Sequence, residues 1–574
     1  MESSQPMVNK PSISASEQSN DIQVRAIMNS LIINLVFGVT LGLFSSLLST
    51  KFGARYRCPK CDISFSRVDS LQRHLELIHG AKPILSKEVL ILGGGFTGVE
   101  VLRRLQNRFQ NDVSVDITMV SKDNFFLFTP MLHEVASGMI ETRHIVTPIR
   151  AFCNRAKFYA AKVKRIDLNN KEVYIESSPF SSIVQVRSSN NNNNFESLNK
   201  GSTNAAAAIL SNLHANLLPY DYLVIAVGSE TKFFGMTDIE KHTFTIKSWT
   251  DAIVIRNHVI HQLEQAEVLL REQIKSPGYD DDSDESTTKS NQKDRLLTFV
   301  IVGGGFAGVE TAGELNDFLR DSVEDYYHNI ESKDVRVIII QSGKRLLPEM
   351  SGELAEFAMQ RLTQSGVEVI LDAHVTGATE NEVKVKDGRN IPTNTIIWTG
   401  GVVPNPIIEE ISCKHDERSG RIAVNKSLEV EGYPGVFAIG DCAFIIDPYT
   451  GKPYPPTAQH AIREGTVVSN NIISLIEGKA ESNRKAFDYK TKGMMASIGN
   501  RNGVGELLGF EIQGFVAWWI WRSYYLANLP TLQKKIRVTV DWTLDFFFRR
   551  DVTMLETILK DKGESKESSL ERSE

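Results

Sequence analysis

The chain has 574 residues, 41% hydrophobic and 23% charged, which is material for about three or four cores. Its net charge of −6 gives no global signal for nucleic acid. Of its five cysteines, Cys58, Cys61, Cys153, Cys413 and Cys442, only the first two are close in sequence, which excludes a secreted disulfide framework.

Residues 1–25 read as a disordered tail, rich in Ser, Gln and Asn over 1–20. From Ala26 to Leu48 there is no charged residue, a run long enough to cross a bilayer as one transmembrane helix. The run exceeds the roughly 7–15 apolar residues of a signal peptide, so a retained anchor over 26–48 is expected in preference to a cleaved leader. Lys51, Arg55, Arg57 and Lys60 follow it, against Glu17, Asp21 and Arg25 before it. The positive-inside bias then places the amino terminus outside and the catalytic part on the cytoplasmic face of the cell membrane.

Within residues 56–80, Cys58-x2-Cys61-x12-His74-x4-His79 has the spacing of a ββα zinc finger, with Phe65 and Leu71 at its apolar core positions. Two thiolates from a hairpin and two imidazoles from one helix face make a closed tetrahedral site, so Zn2+ here would be structural. Arg67, Asp69, Gln72 and Arg73 could read nucleic acid from the finger helix. A single finger beside a membrane offers little contact area, so a protein partner or a spacer role is expected.

Val89-Leu90-Ile91-Leu92 then leads into Gly93-Gly94-Gly95-Phe96-Thr97-Gly98-Val99-Glu100, and Phe299-Val300-Ile301-Val302 leads into Gly303-Gly304-Gly305-Phe306-Ala307-Gly308-Val309-Glu310. Each is an apolar run with the character of a buried parallel strand, then G-x-G-x-x-G, then a helix-forming stretch. The first glycine makes the turn, the second admits a pyrophosphate and the third lets helix pack on strand. Two such turns point to two dinucleotides, one a prosthetic flavin and one an exchanging nicotinamide. The expected order is a first dinucleotide-binding part over 87–250, interrupted by a polar insertion at 188–204 with five consecutive asparagines. A helix and an acidic linker follow over 251–295, then a nicotinamide domain over 296–396 inserted between the flavin domain's first part and its second part, 397–490. The expected fold class is therefore α/β, with two Rossmann-like dinucleotide-binding domains.

Beyond the glycine turns, four segments resemble the type II, single-subunit, non-proton-pumping NADH:quinone oxidoreductases. These are Asn124–Leu132, Gly440-Asp441-Cys442-Ala443, Ala458–Gly465 and Lys492–Gly499, the last followed by an aromatic carboxy terminus; the likeness covers roughly Lys87 to Val552. The resemblance implies that Gly93, Gly95 and Gly98 hold FAD with Asp441 of the Gly440-Asp441 element, and that Gly303, Gly305 and Gly308 hold NADH. It also implies that Glu310 is a proton-relaying carboxylate between the nicotinamide and quinone sites, and that Gln459 lies beside the quinone. A solvated carboxylate, or one stabilised by the dipole at a helix amino terminus, is the other reading of Glu310.

The acid that ordinarily holds ribose hydroxyls after the second strand of each unit is replaced by Ser121 and by Gln341. An amide at 341, with Lys344 and Arg345 after it, would not repel the 2′-phosphate of NADPH, so acceptance of NADPH is expected. In the carboxy-terminal region 491–560, Gly514–Leu526 and Val538–Arg550 are rich in interfacial aromatics without being charge-free spans; a charged tail, 561–574, closes the chain. They read as amphipathic helices in the headgroup layer, with Arg522, Lys534, Lys535, Arg537, Arg549 and Arg550 available to lipid phosphate. The other reading is an apolar homodimer face. A sulfide:quinone oxidoreductase would need a cysteine pair facing the flavin, and a membrane-tethered redox sensor would need a partner for the finger; these are the rival functions.

Overall fold

The computed structural model describes residues 56–58, 60–61, 63–65, 68–79, 86–177, 217–275 and 284–554. The apolar run Ala26–Leu48, the asparagine insertion and the charged tail lie outside the described residues. Among the described residues no helix is long and apolar enough to cross a membrane.

Two parallel sheets carry the two glycine turns. The first has seven strands in the order Val436–Ala438, Tyr222–Ile225, Lys87–Leu92, Val115–Ser121, Lys157–Asp167, Glu172–Ser177 and Leu217–Pro219. Its first five strands run parallel, Glu172–Ser177 returns antiparallel, and Leu217–Pro219 pairs antiparallel with that strand. The second has five parallel strands in the order Phe244–Thr245, Thr395–Trp398, Thr298–Val302, Arg336–Ile340 and Val367–Ile370. Val89 to Leu92 and Thr298 to Ile301 are buried without interruption, as strands covered on both faces must be. The strand Val436–Ala438 joins the first sheet only after the whole second sheet has been made, so the second unit is an excursion from the first.

A three-stranded antiparallel sheet, Gly493–Ser497, Gly503–Leu507 and Phe510–Gln513, precedes the helices Gly514–Asn528 and Leu532–Leu544. It docks on the helix Phe306–Tyr326 backbone to backbone: a Cβ at Gly313 would lie 2.5 Å from the Ile498 carbonyl carbon. That close approach brings the carboxy-terminal aromatics over the residues that follow the second glycine turn.

Ahead of the sheets, Tyr56–Arg57 pairs antiparallel with Ser64–Phe65, and the helix Val68–His79 closes the ββα unit. Its core of Cys58, Leu71 and Leu75, with Phe65, packs against Val113, which lies between the helix Phe96–Arg108 and the strand Val115–Ser121. Over the stretch expected as a helix and an acidic linker, Trp249–Lys275 is the helix, and the part expected as a linker holds a second helix, Asp284–Leu297.

Candidate functional site

The glycine turns have the geometry their sequence requires. Gly93 and Gly303 sit at φ +110° and +114°, in the region that disfavours side chains. A Cβ at Gly98 would come within 2.0 Å of the Gly93 carbonyl oxygen, and one at Gly308 within 1.8 Å of the Gly303 oxygen. By contrast Gly95 and Gly305 cap the two helices and look onto open space, with nothing within 4 Å of a Cβ. Backbone N–H groups at a helix start facing open space make a pyrophosphate cradle, so both sites fit a dinucleotide.

Around the first turn, Gly440 lies at φ +75° with Thr97 Oγ1 2.9 Å from the place of its Cβ, and its N–H donates to Glu464 Oε2 at 2.6 Å. Glu464 is buried, and desolvation pushes its carboxyl up to about 7. Asp441 accepts from the Ser229 hydroxyl at 2.5 Å, and Lys247 Nζ donates to the same hydroxyl at 2.6 Å. Burial lowers the Lys247 ammonium, with Asp441 opposing that effect. Ser121, at the end of its strand, has its Oγ 2.8 Å from a Cβ placed on Gly94. At the second turn Gln341 takes a different part: its Oε1 accepts from the Gly304 N–H at 3.0 Å and its Nε2 donates to the Arg345 carbonyl at 3.3 Å.

Glu310 is buried, which removes the solvated reading of this residue. Its Oε1 accepts from the Trp521 indole at 3.1 Å and from the Ser497 backbone N–H at 3.3 Å, while His133 Nδ1 lies 3.7 Å from Oε2. Desolvation raises its pKa well above the ordinary carboxylate range, against the two donated bonds. The strand Gly493–Ser497 links it to Gln459, whose Nε2 donates to the Gly493 carbonyl at 3.2 Å and whose Oε1 accepts from the Tyr489 hydroxyl at 2.7 Å. Five strand residues put the two ends about 13 Å apart. Aromatic rings run from the first turn toward Glu310, from Phe96 to Phe128, Tyr525 and Trp521, with centroids 5.6, 6.0 and 4.7 Å apart.

The carboxy-terminal helices leave Val516, Val540 and Leu544 exposed, as are Phe547 and Phe548 just after them and Leu508 and Phe510 at the preceding hairpin. Two of the cations expected to face lipid do not. Arg522 is buried with its guanidinium 4.2 Å from the Trp518 ring and 4.6 Å from the Trp542 ring, and 3.8 Å from Glu134. Arg550 lies between Glu314 and Asp545, at 3.1 and 3.2 Å. Arg522 reads as interfacial among its aromatics because Glu134 is hundreds of residues away, and Arg550 because Glu314, which shares it with the nearby Asp545, is as distant.

In the ββα unit, ligand atoms of Cys58, Cys61, His74 and His79 all lie within 4.8 Å of one another, and Cys61 Sγ is 3.0 Å from His74 Nε2. That separation and the two-sulfur, two-nitrogen donor set suit a tetrahedral Zn2+.

Residues 87–465 match the family described as pyridine nucleotide-disulphide oxidoreductase, and residues 491–551 match the NDH2 C-terminal domain. A probable NADH dehydrogenase of Dictyostelium discoideum is 30% identical over 474 residues, covering 82% of this chain and 92% of its own length. The chain belongs to the type II NADH:quinone oxidoreductases. A type II NADH:quinone oxidoreductase of Mycobacterium tuberculosis is 28% identical over 482 residues, covering 82% of this chain and 90% of its own. The structure of NDH2 from Plasmodium falciparum in complex with NADH shares the fold, with a TM-score of 0.66 at 21% identity over 82% of this chain and all of that one. As a member of the type II enzymes, the chain is an FAD-dependent NADH dehydrogenase.

Several residues that the fold gathers around Gly440 and Glu310 escape sequence reasoning. Glu464 lies within Ala458–Gly465, but only the fold shows it under Gly440. His133, Glu134, Trp521 and Arg522 carry no motif; an arginine inside a tryptophan-rich helix was the one available signal.

Proposed function

We propose that this enzyme works at a membrane surface, with NADH entering from water at Gly303, Gly305 and Gly308 and quinone entering from lipid beside Glu310 and Gln459. FAD, held at Gly93, Gly95, Gly98, Ser121, Gly440 and Asp441, supplies the two-electron chemistry between NADH and quinone when bound. The carrying observation is that Glu310, which directly follows the nicotinamide turn, is desolvated beneath Trp521 of the helix whose outer side is exposed and apolar. A carboxyl whose neutral form is so favoured by burial can hold a proton and pass it to a reacting oxygen. Gln459, fixed by Tyr489 and Gly493, offers a positioned amide at the other end of the same strand.

The exposed aliphatic and phenylalanine face supports a monotopic seat in the headgroup layer. Gln341 presents no negative charge toward a 2′-phosphate, which supports use of NADPH beside NADH. The cysteine and histidine set supports a structural Zn2+, and the packing of its core on Val113 supports a role inside the chain or toward protein in preference to nucleic acid.

The test is NADH and NADPH oxidation by the full chain in membranes, with short-chain ubiquinone and menaquinone analogues. Rapid quinone-dependent oxidation is expected; a flavin-loaded protein that oxidises neither nucleotide would overturn the reading and make sulfide the next donor to try.

A further inference from the structure

Reduction of quinone by NADH takes one proton from water in each turnover. A hydride leaves the nicotinamide as its C–H bond breaks, two O–H bonds form on the quinone, and NADH, quinone and one proton become NAD+ and quinol. Glu310 has one carboxyl and is buried, so its proton must be replaced from somewhere.

The helix Phe306–Tyr326 carries Glu310, Glu314, Asp317 and Asp321 at i, i+4, i+7 and i+11, which share one face along about 16 Å. Side-chain exposure is 11% at Glu310, 3% at Glu314 and 35% at Asp321, so the row leads from the buried site to water. Ser497 joins its inner steps: the backbone N–H meets Glu310 Oε1 at 3.3 Å and the hydroxyl meets Glu314 Oε1 at 3.4 Å. Asp317 accepts from the Asn500 N–H, and Asp321 faces Arg549 at 2.6 Å.

Elements packed on this face add Glu134 and His133 from the helix Leu132–Ala136, Arg522 and Tyr525 from the helix Gly514–Asn528, and Asp545 and Arg550 beyond the last helix. Carboxyls at Glu134, Glu310 and Glu314, all buried, and at the half-buried Asp317 and Asp545 thus meet two guanidinium groups, Arg522 and Arg550. Three carboxyls are in excess, and unpaired buried charge is so costly that such groups take up protons instead. Glu314 and Asp545 are the two that touch Arg550. In the other three desolvation dominates, raising Glu310 well above its usual range, Glu134 to about 8 and Asp317 to about 7. The network is also open, since His133 Nε2 and Arg522 Nε are buried without a hydrogen-bond partner.

We propose that the carboxyl row Asp321, Asp317 and Glu314, whose inner end carries the Ser497 hydroxyl, delivers water-derived protons to Glu310, with Glu134 as a side store. The proposal rests on Glu310 serving the quinone side. Each step moves one proton between neighbouring carboxyl oxygens through intervening water, and returns the donor to its starting state after reprotonation from solvent.

Asp317→Asn and Glu314→Gln, in the full FAD-loaded chain, test it by anaerobic stopped flow. Bleaching of flavin absorbance by NADH should keep its wild-type rate, which also reports folding. Recovery of absorbance on adding short-chain ubiquinone should slow by roughly tenfold, with a larger solvent deuterium isotope effect, and small weak acids such as formate should restore part of the rate in Asp317→Asn. Wild-type recovery and an unchanged isotope effect in both variants would overturn the route. Glu310→Gln separates the two failures: wild-type recovery there would instead remove Glu310 from the quinone side. Should Glu314→Gln lose flavin, Asp317→Asn decides alone, because its amide oxygen can still accept from Asn500.

Discussion

The two glycine turns, Gly93–Glu100 and Gly303–Glu310, differ at one position, Thr97 against Ala307, yet their surroundings differ throughout. The first is closed in by Gly440, Glu464 and the helix Ala458–Ile476, as suits a prosthetic group that stays. The second is backed by Gln341 and Leu347, which bond the Gly304 N–H and carbonyl, and by Thr399, which bonds the Gly303 carbonyl. The glutamates that end the two motifs diverge most. Glu100 pairs with Arg104 one turn along its own helix, whereas Glu310 is sealed beneath Trp521 by the carboxy-terminal region. Near-identical local sequence therefore sets the turn, and long-range packing sets what its last residue can do.

The sharpest way to break this comparison is to fill the third glycine of each turn. Gly98→Val should abolish flavin incorporation and soluble expression. Gly308→Val should leave a yellow protein whose reduction by NADH is slower by more than about 100-fold, since the strand and helix it separates can no longer pack at the pyrophosphate. Flavin absorbance and stopped-flow reduction check both. Next come the paired glutamates: Glu310→Gln should slow quinone-dependent reoxidation by about 100-fold, and Glu100→Gln should stay within about twofold, because only the first removes a general acid.

Gln341→Glu comes third. The carboxylate keeps an acceptor for the Gly304 N–H but repels a 2′-phosphate, so kcat/KM for NADPH should fall about tenfold while that for NADH holds. The smallest effect is on stability. Burial raises Glu134 from 4.5 to about 8, so the neutral form favours the fold fully below 4.5 and that contribution is lost as pH rises through about 8. The thermal midpoint followed by tryptophan fluorescence should decline over that window, and Glu134→Gln should flatten the decline.

Much of this was legible in the chain. The turns, their buried strands and the Cys58, Cys61, His74 and His79 spacing depend on contacts within a few dozen residues, and the structure brings each set together. The carboxy-terminal helices were also visible, but Arg522 and Arg550 were misread as lipid-facing, because Glu134 and Glu314, which hold them, lie 388 and 236 residues away. Glu464 beneath Gly440 was hidden for the same reason: a buried carboxylate in a helix has the same sequence signature as a solvated one.

The most direct measurement is an anaerobic double-mixing experiment on the FAD-loaded chain in membranes, NADH first and short-chain ubiquinone second. Rapid bleaching by NADH, rapid recovery with quinone, and loss of the second phase alone in Glu310→Gln are the predicted results. Recovery in Glu310→Gln at the wild-type rate, or bleaching that is lost with it, would contradict the assignment of this buried carboxyl to the quinone side.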